Sequence, residues 1–224
     1  MKGYKKYFFR TIRTRYPEAA NHIISELDNH FAIISIDTKF AKTSTNPIDK
    51  RLDFTSYFLA LIKTLEKRGE SFEDIRMACL EIVTEYVRPK NRMQQFLRQV
   101  PANFTNTWLA NAVIAKFNKK INIRSHPDGF VATIITDKKD TFGLGYGIDI
   151  LECGICKLFK KHNYEKYSSI LCEVDHLTSG LAGLELIRTG TIAQGEKNVI
   201  SDLKKRAEQV ITREIIYAAA IPCN

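Results

Sequence analysis

Three of the chain's five cysteines, Cys153, Cys156 and Cys172, fall between Asp149 and Arg188, together with Asp175 and His176. A thiolate is a strong nucleophile near neutral pH, and a carboxylate or imidazole within reach can orient it or move its proton. Cys172 stands three residues before Asp175 and four before His176. On a helix those spacings put the side chains on neighbouring turns. Cys153 has Asp149 four residues ahead of it. The chemistry that these types support is attack by sulfur on an electron-poor carbon. Cys172 is the first candidate for the nucleophile and Cys153 the second, with Asp175, Asp149 and His176 as candidates to assist.

Two other chemistries use the same residues. Cys153-x-x-Cys156 with Cys172 and His176 makes a four-ligand set on paper, but a structural zinc site usually offers two such pairs on knuckle turns. A redox Cys-x-x-Cys pair usually sits at a helix start after a strand, whereas the periodicity here puts the pair inside a helix. Neither a metal nor a cofactor is expected. The plain structural alternative makes Cys153 and Cys172 small buried residues, Asp149 a helix cap and Arg188 half of an ion pair.

The elements that must hold these groups follow from periodicity. Asp149 with Glu152 has the spacing of a helix N-terminus, and Leu151, Ile155, Leu158 and Phe159 share one helical face; a helix is expected over about 150–162. A second is expected over about 166–177, with Tyr167, Ile170, Val174 and Leu177 as its apolar stripe and Ser179-Gly180 as its stop. After Gly183 the period drops to two: Leu184, Leu186, Arg188, Gly190 and Ile192 alternate with polar residues over a strand. An arginine in phase with leucines requires an anion. A ligand carboxylate would serve, with a hydrogen bond from Thr191; Asp149, Asp175 and Glu185 are the intramolecular alternatives.

The ordered set Asp149, Cys153, Cys172, Asp175, then Arg188-Thr189-Gly190-Thr191-Ile192 and Gly195, resembles the signature of the L-2-amino-thiazoline-4-carboxylic acid hydrolase family. The resemblance runs from Ile148 to about Lys204 and reaches the first half only loosely. It implies a cysteine-dependent hydrolase that opens a small cyclic amidine carboxylate, in the named reaction to N-carbamoyl-cysteine, with Cys172 within the signature. One departure stands out: the family's closing Cys-Asp-Phe-Arg is Ser201-Asp202-Leu203-Lys204 here. A noncatalytic descendant that binds a small carboxylate-bearing metabolite is the alternative that this departure motivates.

The remaining sequence sets the frame. With 224 residues, 44% hydrophobic and 26% charged, the chain suits a single globular domain over 1–224. Residues 1–119 are expected as a helical layer. Residues 120–224 are expected as a mixed α/β part carrying the site, with Phe130 to Thr136 as a strand after the turn His126-Pro127-Asp128-Gly129. The fold class is therefore α+β: a largely helical N-terminal half packed with a small, mostly antiparallel sheet and helices. In the first half, Ser71 with Asp74 caps a helix that stops before Pro89, and Cys79 lies on its apolar face. Ser201 to Lys204 fits either a strand or a tail helix over 202–220, and Ile215 to Ile221 could pair with another subunit in a homo-oligomer. Gly143, Gly145 and Gly147 lack the spacing of a phosphate-binding loop. The net charge of +9 is scattered in short clusters without interleaved aromatics, which argues against a nucleic-acid partner. No run is apolar enough for a membrane span or a secretory leader. The expected partner is a small carboxylate substrate, in the cytoplasm.

Overall fold

The computed structural model describes residues 3–88, 108–135, 147–181, 184–188, 192 and 199–205. Four helices open the chain: α1 Lys5–Arg15, α2 Ala20–Asp37, α3 Arg51–Lys67 and α4 Phe72–Val87. The most deeply buried of them sits in the middle. In α3, every residue from Tyr57 to Ile62 is buried, the mark of a helix surrounded by others rather than lying on a surface. Its buried hydroxyls close on the chain itself. Ser56 Oγ donates to the Leu52 carbonyl at 2.7 Å and Thr64 Oγ1 to that of Ala60 at 2.8 Å, so neither leaves an unpaired polar atom in the core. Ser71 caps α4 as its spacing predicts, accepting the Asp74 N–H at 3.1 Å, and Cys79 is fully buried on the inner face.

The second half adds α5 Trp108–Ile121, α6 Gly154–Lys161, α7 Ser168–Leu181 and four strands: β1 Val131–Ile135, β2 Gly147–Glu152, β3 Leu184–Arg188 and β4 Val199–Lys205. The strands form one antiparallel sheet in the order β1-β2-β4-β3. The α+β class is thus as expected, as is a strand within 130–136; the strand expected over 184–192 is present as Leu184–Arg188, while Ile192 lies in a 3-10 turn. Ser201 to Lys204 belongs to β4 and not to a tail helix.

Three expectations are corrected. Residues 147–152 are a strand, so the helix there begins at Gly154 rather than at Ile150. Asp149 is consequently no helix cap; it pairs with Thr133 on one side and Ile200 on the other. The following helix runs through Ser179 and Gly180 to Leu181. Lastly, helix α5 runs on to Ile121, past residue 119 where the helical layer was expected to end.

One continuous apolar core joins α1 to α4 with α6 and α7, through Phe8, Ile23, Phe58, Phe159, Tyr167 and Ile170. A smaller one gathers Ala41, Leu52 and Phe130, with Ile150, Cys153 and Ile155 against it. Ile155 touches both. Buried Asp49 ties the smaller core together, accepting the Phe130 N–H at 2.8 Å and the Ser44 hydroxyl at 2.5 Å. Asn46 Nδ2 donates to the Phe130 carbonyl at 2.9 Å. Among the described residues, no helix is long and apolar enough to cross a membrane.

Candidate active site

Cys153 is the single residue between β2 and α6. It has the extended backbone of an N-cap, φ −100° and ψ 109°. The junction is held from three sides. Gly154, the first helical residue, lies against Phe130: a Cβ there would stand 3.0 Å from the phenylalanine ring and 3.1 Å from the Asp128 carbonyl oxygen. Lys157, one turn on, donates to the carbonyls of Pro127 at 2.7 Å and Gly129 at 3.1 Å, and pairs with Glu152 at 2.5 Å. Glu152 also pairs with Arg124. Lys160 and Lys161 occupy the last turn of α6, where positive charge complements the helix dipole.

This placement sets the chemistry of the thiol. The sulfur of Cys153 makes no formal cap hydrogen bond. The Cys156 thiol lies beside it, however, as do the N–H groups of Cys156 and Ile155. The Cys156 contact is the largest influence and pulls the Cys153 pKa below the ordinary thiol range; burial and the charge of Asp175 oppose it without prevailing. Cys156 is pushed the other way, first by the same contact and then by burial and by the charges of Cys153 and Cys172. The pair therefore divides into a sulfur poised to ionise and a thiol that keeps its proton.

Helix α7 supplies the rest. Cys172 is half-buried near Cys156, and Asp175 is near enough to Cys153 to act on its charge. Asp175 is itself gripped by Arg51 at the start of α3, Nη2 to Oδ1 2.6 Å. Arg76 of α4 pairs with Glu173 at 2.6 Å, and Tyr167 donates to Glu66 at 3.0 Å. These contacts dock α7 on the helical half. The structure thus brings Cys153, Cys156, Cys172 and Asp175 together. His176 is exposed on α7.

The sheet separates the other two candidates. Arg188 pairs with Ser201, and Ser201 with Ile148; Asp149 belongs to the adjacent row. Residues in neighbouring rows of a pleated sheet point to opposite faces, so the Asp149 and Arg188 positions lie on opposite faces. Thr191 falls outside the described residues. Among the described residues, no three His, Cys, Asp or Glu side chains are arranged to hold a metal ion.

Sequence reasoning missed Arg51 and Lys157. Arg51 meets its partner 124 positions away, and no local pattern signals such a contact. Lys157 was visible only as one of many surface lysines. The signal that could have exposed it is the alternation Ile148, Ile150, Glu152, which makes β2 a strand and Cys153 the start of a helix.

A family model for L-2-amino-thiazoline-4-carboxylic acid hydrolase matches residues 50–198. The match takes in Arg51, all three clustered thiols, Asp175 and Arg188, and stops before β4. No curated protein and no solved structure matches the chain.

Proposed function

The chain belongs to the L-2-amino-thiazoline-4-carboxylic acid hydrolase family, and on that premise we propose that it opens a small cyclic amidine carboxylate by adding water, with Cys153 as the nucleophile. The observation that carries the choice is the position of Cys153 between β2 and α6, with the Cys156 thiol beside its sulfur. That contact lowers the Cys153 pKa to about 7, so a thiolate is accessible at neutral pH. Cys172, the first candidate by spacing, lies beside Cys156 and is the competing nucleophile.

In the proposed reaction the Cys153 thiolate attacks the amidine carbon. The ring carbon–sulfur bond breaks, and the ring sulfur leaves with a proton as the substrate's own thiol. Water then adds to the carbon held on Cys153; that bond breaks in turn, and the product carries a carbamoyl group. Arg188 would hold the substrate carboxylate, a role supported by its phase with Leu184 and Leu186 in β3, and Thr191 would add a hydrogen bond. Asp175, steadied by Arg51, would set the charge beside the thiols.

The test is a mass-resolved assay of 2-amino-thiazoline-4-carboxylate and related cyclic amidines. Cys153→Ser should abolish ring opening while Cys172→Ser retains it. The reverse pattern would move the nucleophile to Cys172. Arg188→Ala should weaken carboxylate-bearing substrates by about 2–5 kcal/mol relative to analogues that lack the group.

A second reading is favoured by the end of the family match at residue 198, ahead of Ser201-Asp202-Leu203-Lys204. Ser201 pairs with Arg188, so the departure touches the proposed carboxylate site. On this reading the protein binds a small carboxylate-bearing metabolite without turning it over. Tight binding by calorimetry with no ring opening of any cyclic amidine would establish it.

A further inference from the structure

We propose that Cys153 and Cys156 form a redox-active pair that accepts oxidation from a low-molecular-weight disulfide, a reaction separate from hydrolysis. Four observations converge on it. Cys153 stands at a strand-to-helix junction, after β2 and at the start of α6. Cys156 is the third helical residue, three positions and nearly one turn on from Cys153, so its thiol lies beside the Cys153 sulfur without a disulfide between them. The residue after Cys153 is a glycine packed on Phe130, which fixes the first turn of α6, and with it both cysteines, against the smaller core. Both cysteines are partly exposed, whereas Cys79 is sealed in the core.

The exchange balances as follows. The Cys153 thiolate attacks one sulfur of the small disulfide, forming a mixed disulfide and releasing one small thiolate. That step removes the negative charge beside Cys156, whose thiol then gives its proton to the departing thiolate. The Cys156 thiolate attacks the Cys153 sulfur, the second small group leaves as a thiolate that takes its proton from water, and an intramolecular disulfide remains. The protein loses two electrons and the small disulfide gains them. Cys172, near Cys156, is the competing partner that the experiment must separate.

Reduced protein is incubated with oxidised glutathione, quenched by alkylation, and mapped by tryptic peptides. Cleavage after Lys139 and Lys157 leaves Cys153 and Cys156 in one peptide and Cys172 in another. The expected product is that single peptide two hydrogens lighter, not alkylated, and restored by dithiothreitol. Cys156→Ser should instead accumulate a lasting glutathione adduct on Cys153, and Cys172→Ser should oxidise like the unaltered chain. A cross-link between the Cys156 and Cys172 peptides, a lasting adduct on the unaltered chain, or full alkylation of all thiols would each overturn the proposal. If Cys156→Ser does not fold, mapping of the unaltered chain and of Cys172→Ser decides alone. The readout needs no substrate. A disulfide in protein that opens no cyclic amidine keeps the redox pair and rejects the hydrolase reading, and turnover with no disulfide does the opposite.

Discussion

Arg51 Nη2 lies 2.6 Å from Asp175 Oδ1, joining the first residue of α3 to the middle of α7. The pair is about half exposed on the arginine side, so its worth to stability is small, about 0–1 kcal/mol. Its importance is electrostatic, because the Asp175 charge opposes ionisation of Cys153.

Asp175→Asn should therefore shift the Cys153 thiolate to lower pH. The sign follows from removing a negative charge that disfavours a second one nearby. The rate of alkylation of Cys153 against pH, read by peptide mapping, checks it. An unchanged or raised midpoint would break the link between α7 and the thiol.

Gly129→Ala should cost about 1–3 kcal/mol. The new Cβ would stand 2.9 Å from Asp49 Oδ1, and that oxygen cannot retreat because it accepts the Phe130 N–H. Asp49→Ala should be at least as damaging, since it strands a buried N–H and a hydroxyl, at about 1–3 kcal/mol for an unsatisfied buried group. Urea denaturation of both variants measures the effect.

Acid should weaken the contact between α2 and α6. Asp37 is held below the usual carboxylate range, first by the hydrogen bond from Lys161 and also by His162, with burial opposing. Because its folded pKa is depressed, its contribution is complete above the unfolded value of about 3.9 and is lost as pH falls through the folded value. The Tm gap between the native chain and Asp37→Asn should be present at neutral pH and vanish in strong acid.

Cys79 should resist thiol reagents until the protein unfolds, because burial pushes its pKa far up. Cys153 should be alkylated in the native state. Counting modified cysteines before and after denaturant tests both statements.

Most of the helical half was legible because its helices carry their own signals. The Ser71 cap, the apolar stripe around Cys79 and the stop before Pro89 need no partner to be recognised. The strand from Leu184 to Arg188 was equally plain from its alternation, though the alternation runs on to Ile192, which is outside the strand. The junction at Cys153 was not, because β2 and α6 abut with one residue between them. The period-two run Ile148, Ile150, Glu152 therefore blends into the helical run Ile155, Leu158, Phe159. What selects the strand is pairing with β1 and β4, up to fifty or so positions distant in sequence. Leu181 ends α7 rather than Ser179 because α7 packs on α4 and β3, which outweighs the weak helix preference of serine and glycine. The clustering of Cys153, Cys156, Cys172 and Asp175 follows from that packing, so spacing could pair Cys172 with Asp175 but not with Cys156.

The strand order β1-β2-β4-β3 sets a schedule for the chain as it leaves the ribosome. Helices α1 to α4 can begin to dock on one another as soon as they are out, but α3 and α4 complete their packing only when α6 and α7 follow. Among the described residues, strand β3 pairs with β4 and no other strand, so it waits in the tunnel's shadow until residues 199–205 emerge and zip it to β2. A nascent chain arrested before residue 199 would expose the Leu184–Arg188 strand on both edges, as bait for chaperones.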